Sequence, residues 1–184
     1  MLYRPHRRPD VQQIMESSRQ RSNVALAATT FAGVRKLIRA LRQGQAVGML
    51  PDQVPAVGEG VALDLGGHHA YTMTLPAALH ASTGAPVVLA VGLRKPFWGF
   101  ELRLFAGPAD LSPDITQATR QINEAMVKLI KQYPNQYYWA YERFRPPRGV
   151  QTWEELFEKE PLKPAAPQGG CRSAPESFQG ESSE

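Results

Sequence analysis

Ala46-Val47-Gly48-Met49-Leu50-Pro51-Asp52-Gln53 is the stretch against which the rest of the chain is read. An apolar run entered from Arg42-Gln43-Gly44-Gln45 and stopped by a proline predicts a buried strand whose carboxyl end delivers Asp52 and Gln53 to solvent. Pro51 removes a backbone donor and so belongs at a strand's end, which puts Asp52 on a loop. In an open α/β sheet the carboxyl ends of strands are where chemistry sits. Taken alone, Asp52-Gln53 also fits a simple turn before Pro55, so its surroundings have to decide.

At 184 residues and 42 % hydrophobic content the chain has enough apolar material for one core. No apolar run approaches the roughly 20 residues needed to cross a bilayer, and the start lacks a signal-peptide pattern. The single Cys171 lies in a polar tail, which excludes an internal disulfide and a cysteine metal cluster. The formal charge of +4 is unevenly spread: residues 1 to 42 carry nine Arg/Lys against two acids. Such a basic front favours phosphate-bearing partners, or forms a solvated basic face.

In chain order, Asp10 starts a short helix bearing Val11, Ile14 and Met15, with Arg19 and Arg21 at its end. Val24 to Ala28 reads as a small strand. A helix follows in which Val34, Leu37, Ile38 and Leu41 recur on one side and Arg35, Arg39 and Arg42 share another flank, ending at Gly44. Val61 to Leu65 reads as a short strand running into Gly66-Gly67, and Tyr71 to Leu75 leads into a helix that reaches His80. The adjacent His68 and His69 have no partner at metal-ligand spacing, so no metal is expected. Val87 to Leu93 is too uniformly apolar to have a wet face and predicts a second central strand. Phe100, Leu102 and Leu104 alternate with Glu101, Arg103 and Phe105, the mark of a strand exposed on one side. Lys95-Pro96-Phe97-Trp98-Gly99 places two aromatics on a hairpin tip, suited to a lipid interface or to packing over a sheet edge.

Ser112 and Pro113 predict the start of the strongest helix, with Ile115, Ala118, Ile122, Met126, Leu129, Ile130 and Tyr133 as its buried stripe. Pro134 stops it. Aromatics then interleave with arginines from Tyr137 to Arg145. A short amphipathic piece surrounds Trp153 to Phe157, and the tail from about Pro164 has a disordered composition. The expected architecture is α/β, a mixed central β-sheet flanked by helices, with a domain over residues 1–148 and the amphipathic piece and tail over 149–184.

Gly33-Val34-Arg35 with Leu37 to Gly44, Gly48 to Gln53, Ala70 to Leu75, Thr83 to Val87, and Pro134 to Arg145 carry, in order and spacing, a resemblance to the bacterial lipid A biosynthesis acyltransferases. That family lies within the wider lysophospholipid acyltransferase group, and the resemblance covers about residues 2 to 148. It implies transfer of a fatty acyl chain from an acyl carrier protein thioester to a hydroxyl of a lipid A precursor, at the cytoplasmic face of the bacterial inner membrane, with no further cofactor. Members of the family resemble one another in pairing a His with an acid five positions later: the imidazole takes the hydroxyl's proton and the carboxylate fixes the tautomer.

At that point this sequence departs from the family. His6, His68, His69 and His80 are followed five residues later by Val11, Met73, Thr74 and Ala85. The resemblance therefore implies a chain truncated at its N-terminus, whose His-acid block and membrane anchor precede Met1, and which is catalytically incomplete as it stands. Leu65-Gly66-Gly67 replaces a Phe-Phe-Gly stretch of the acyl channel, and Val127 stands where an acid is common.

Residue by residue, the resemblance carries over the substrate half of a site. Asp52 and Gln53 match a block that supports the catalytic histidine or binds the acceptor. Arg35 and Arg39, and more weakly Arg19 and Arg21, are candidates for the phosphates of lipid A or of phosphopantetheine, or else form solvated flanks. Gly84, Ala85 and Pro86 match a block shaping the pocket wall, while Tyr138, Trp139, Arg143 and Phe144 are expected to pack the C-terminal segment. The expected partners are acyl carrier protein, a lipid A precursor and the inner-membrane surface. One alternative is a non-catalytic remnant that binds phospholipid or lipid A. The other, a nucleic-acid binder, suits the basic front, but the strands lack the stacking pattern of an RNA-binding sheet.

Overall fold

The computed structural model describes residues 2–3, 24–65 and 67–159. The short helix expected after Asp10, Arg19, Arg21 and the tail from Pro164 lie outside them. Six strands and four helices follow in order: β1 Leu2–Tyr3, β2 Ala27–Ala28, α1 Phe31–Arg42, β3 Gly60–Asp64, β4 His69–Met73, α2 Leu75–Thr83, β5 Val88–Arg94, β6 Phe100–Ala106, α3 Ile115–Gln132 and α4 Trp153–Lys159, with a 3₁₀ turn at Pro134–Gln136. The α/β class is as expected. Its strands pair in twos: β1 with β2 in parallel, β3 with β4 and β5 with β6 antiparallel.

The stretch Ala46–Leu50 is not a strand, contrary to expectation. It runs without a ladder partner among the described residues, yet keeps a strand's alternation: Val47 and Met49 are half-buried while Ala46, Gly48 and Leu50 are exposed. Val47 and Met49 pack on a cluster of Ala27, Leu37 and Leu79. Apolar burial thus holds the segment where hydrogen bonds do not, and periodicity alone cannot distinguish the two.

Helix α1 begins at Thr30, whose hydroxyl accepts from the Gly33 amide at 3.2 Å. Gly33 lies so close to β2 that a Cβ there would sit 1.8 Å from the Ala28 carbonyl oxygen, so glycine sets the approach of helix to strand. Helix α2 ends on Gly84 in the left-handed region, φ 70°. Helix α3 starts two residues later than Ser112-Pro113 suggests: Asp114 is the cap, its carboxylate accepting from the Gln117 amide at 2.8 Å, while the Ser112 hydroxyl accepts from the Asp114 amide. Its buried stripe is Ala118, Thr119, Ile122, Asn123 and Met126, so two polar residues share the inner face with the apolar ones.

The interior is divided among three clusters. Besides Ala27, Leu37 and Leu79, Ala77 packs with Ala118 and Ile122, joining α2 to α3. Tyr71 packs with Val150 and Leu156, which brings α4 against β4. Full burial of one leucine such as Leu156 contributes about 2 kcal/mol.

The expectation for β5 is overturned, while the one exposed side expected for β6 turns out to be its apolar side. β5 is not covered on both sides: Val88, Ala90 and Gly92 are exposed, while Leu89, Val91 and Leu93 turn inward. On β6 the exposed side is the apolar one, Phe100, Leu102 and Leu104 being 70 %, 69 % and 64 % exposed. The half-buried residues are Glu101 and Phe105. Cross-strand register enforces this arrangement, because Leu102 and Leu104 lie opposite Gly92 and Ala90 and must share their face.

Candidate functional site

Asp52 stands half-buried in a turn after Pro51, with Gln53 exposed beside it. The loop is tied down one residue later, where the Val54 amide donates to the Tyr141 hydroxyl at 2.9 Å across 87 residues of sequence. That bond brings the aromatic and arginine-rich segment after α3 against the Asp52 loop. Arg143, in the same segment, is buried to 1 % exposure. Its guanidinium donates to the Tyr71 carbonyl and to the Thr72 hydroxyl, both at 2.8 Å. The fork holds the C-terminal segment to β4.

Around this fork the polar groups are buried and coupled. Burial lowers the Arg143 pKa, and the neighbouring Tyr137, Asp52 and Tyr141 act against that shift. The Tyr137 phenol is pushed up, first by burial and then by the Asp52 carboxylate, with Arg143 acting against the shift. Tyr137 therefore stays protonated, a hydroxyl donor in the field of a carboxylate. Asn123 completes the nest from α3, its amide donating to the Thr72 hydroxyl and the Asp64 carbonyl, both at 3.4 Å. The Arg143 Nε and Asn123 Oδ1 atoms are buried without a hydrogen-bond partner among the described residues. A guanidinium, a phenol and a carboxylate placed together this way can orient a hydroxyl or an anionic group.

The other residues singled out from the sequence are placed elsewhere or separately. Arg35 and Arg39 are exposed on α1, on the side away from Leu37 and the Val47-Met49 segment. Gly84 caps α2 through its amide to the His80 carbonyl at 2.7 Å, and Pro86 is exposed in the connection to β5. Arg19 lies outside the described residues. An open groove of about 470 Å³ runs between the β5–β6 hairpin and α3, lined by Leu89, Phe105, Glu124, Lys128 and Leu129 among others. Asp52, Gln53, Arg35 and Arg39 do not line it.

Sequence reading gave Arg143 a packing role and Tyr137 and Tyr141 none. The segment that holds them has neither helical nor strand period, so their convergence on Asp52 had no signal. Asn123 did offer one, as a polar residue at a core position of a helix with a 3–4 spacing, beside Ile122 and Met126.

Proton abstraction is a different matter. His68 is exposed with its ring 5.3 Å from that of Phe144, and His69 is exposed against the rings of Trp153 and Phe157. The His80 ring is held through Nδ1, 2.9 Å from the Ala85 carbonyl. Among the described residues no histidine is paired with a carboxylate. No group of three His, Cys, Asp or Glu that could hold a metal ion occurs among them, nor a helix long and apolar enough to cross a membrane.

The chain is similar to a lipid A biosynthesis palmitoleoyltransferase of Escherichia coli K12, 28 % identical over 145 residues, covering 78 % of this chain and 47 % of that protein. It is similar to the same extent to a lipid A biosynthesis acyltransferase of Shigella flexneri. A lipid A biosynthesis acyltransferase of Haemophilus influenzae is 28 % identical over 146 residues, 78 % of this chain and 45 % of the relative. The chain thus spans about half the length of the curated relatives it matches. With the family pattern matched over residues 1–146, and with the Asp52 loop and the Tyr137–Arg145 segment inside that span, the chain belongs to the bacterial lipid A biosynthesis acyltransferases.

Proposed function

We propose that this chain forms the acceptor-side half of an enzyme that moves a fatty acyl group from an acyl carrier protein thioester to a hydroxyl of a lipid A precursor, at the cytoplasmic face of the inner membrane. The observation that supports this reading is the hydrogen bond from the Val54 amide to the Tyr141 hydroxyl, which brings the segment of the buried Arg143 against the Asp52 loop. In this reading Asp52 and Gln53 orient the accepting sugar hydroxyl. Arg35 and Arg39, with Arg19 from the basic front, engage phosphate groups of the acceptor or of the carrier, and Gly84 and Pro86 shape a pocket wall. The chemistry needs a base to take the hydroxyl's proton as it attacks the thioester carbonyl, with the carrier thiol as leaving group. The sequence lacks a His followed five residues later by an acid, and the described histidines have no carboxylate partner. Residues 1–184 by themselves therefore bind the acceptor without turning it over.

The test is to incubate purified residues 1–184 with acyl carrier protein thioester and a lipid A precursor, and separately to measure precursor binding. No acylated product is expected, while Asp52→Ala weakens binding about tenfold with the fold intact, the loss of one charge-assisted hydrogen bond. Turnover by the purified chain refutes the silent reading. Binding unchanged by Asp52→Ala removes that residue from the site.

A further inference from the structure

The β5–β6 hairpin has an exposed side that folding of the described residues leaves unused. Phe97 and Trp98 at its tip are 95 % and 88 % exposed, pointing away from the sheet rather than folding back over its edge. Phe100, Leu102 and Leu104 continue the apolar surface along β6. Gly99, at φ 87°, turns the chain between the tip and that ridge.

Charge is organised around the same tip. Arg94 lies opposite Phe100 in the register and places its guanidinium 5.2 Å from the centre of that ring. Lys95 and Arg103 both bond the Glu101 carboxylate. The hairpin thus carries three cations against one acid, and that acid is already taken up within it. A second copy of the chain offers Arg94 no spare carboxylate on this face. A nucleic acid finds leucines beside the aromatics where a stacking platform needs flat rings. Amphipathic aromatics beyond an aliphatic ridge, with cations at the level of the ring closest to the strand, match the layering of a bilayer surface instead. Rings sit among headgroups, aliphatic side chains meet acyl chains, and guanidinium and ammonium groups meet phosphate.

We propose that the tip Phe97-Trp98 with Phe100, Arg94 and Lys95 docks this chain on an anionic lipid bilayer. Docking rests on the membrane placement in the reading above and deepens it by assigning the surface that makes contact, and its failure is distinguishable from failure of acyl transfer because plain phospholipid vesicles contain no acceptor. The experiment is co-sedimentation of residues 1–184 with phosphatidylcholine vesicles with and without phosphatidylglycerol. Binding is expected on the anionic vesicles and falls with added salt. It drops at least about tenfold both for Phe97→Ala/Trp98→Ala and for Arg94→Gln/Lys95→Gln, with circular dichroism unchanged because these side chains are exposed. No binding to anionic vesicles, equal binding to both kinds, or unaltered binding by the tip double variant would each overturn the proposal. So would retention on duplex DNA in place of vesicles, or a dimer that the tip variant dissociates without any change in lipid binding.

Discussion

Arg143 and Thr72, 71 residues apart in the chain, are joined by a 2.8 Å hydrogen bond from guanidinium to hydroxyl, and both side chains are almost wholly withdrawn from solvent. The second arm of the guanidinium holds the Tyr71 carbonyl, so one side chain fastens two consecutive residues of β4. Arg143→Met removes both bonds, depriving the buried Tyr71 carbonyl of this donor and leaving the Thr72 hydroxyl only the longer bond from Asn123. It should cost about 3 kcal/mol in urea-induced unfolding. Arg143→Lys keeps the charge but not the fork, and is expected to recover only part of that loss.

The contact between α1 and β2 gives a second test. Since a Cβ on Gly33 would meet the Ala28 carbonyl oxygen at 1.8 Å, Gly33→Ala cannot be absorbed by a side-chain rotation and must push the helix off the strand. Elsewhere in a helix the same exchange is favourable by about 1 kcal/mol. Here the sign should reverse, with a lower thermal midpoint and faster exchange of the amides around Thr30 and Val34. A neutral or stabilising effect would show that the approach is looser than described.

A third test concerns pH. Hydrogen bonds from Arg103 and then Lys95 hold the Glu101 carboxylate down to about 2, from an ordinary value of 4.5. Because the folded-state pKa lies below the unfolded one, whatever the triad contributes is fully present above about pH 4.5 and is lost as pH falls toward 2. Thermal midpoints measured across that window should therefore decline more steeply for the native chain than for Glu101→Gln. Salt should shrink the difference, since the triad is open to solvent. Parallel pH profiles for the two proteins would remove the triad from the hairpin's stability.

Much of the fold was legible because local rules and tertiary packing agree there. The spacing of Leu37, Ile38 and Leu41 gives α1, and Gly44, in the left-handed region at φ 75°, stands where the sequence ends that helix. Legibility failed where an apolar pattern had two solutions. Ala46 to Leu50 satisfies its alternation by packing on Leu37 without joining a ladder. On β6 the polar set Glu101 and Arg103 shares the side of Leu93 and Val91, where Lys95 and Tyr133 supply partners at the protein surface, and the apolar set is left in water. For the candidate site, Asp52 was visible from its position after a proline. Its coupling to Tyr137 and Arg143 was not, since contacts across more than 80 residues leave no period in the sequence.

The division of the interior into three small clusters has a consequence for how the molecule breathes. Ala27, Leu37 and Leu79 share no member with Tyr71, Val150 and Leu156. The corner formed by α1 and β2 can thus open and close as a unit while α4 stays seated on β4. The segment around Asp52 touches both neighbourhoods, Val47 and Met49 packing on the first and Val54 on the second, so a ligand gripping that loop would fasten two otherwise separate regions to each other.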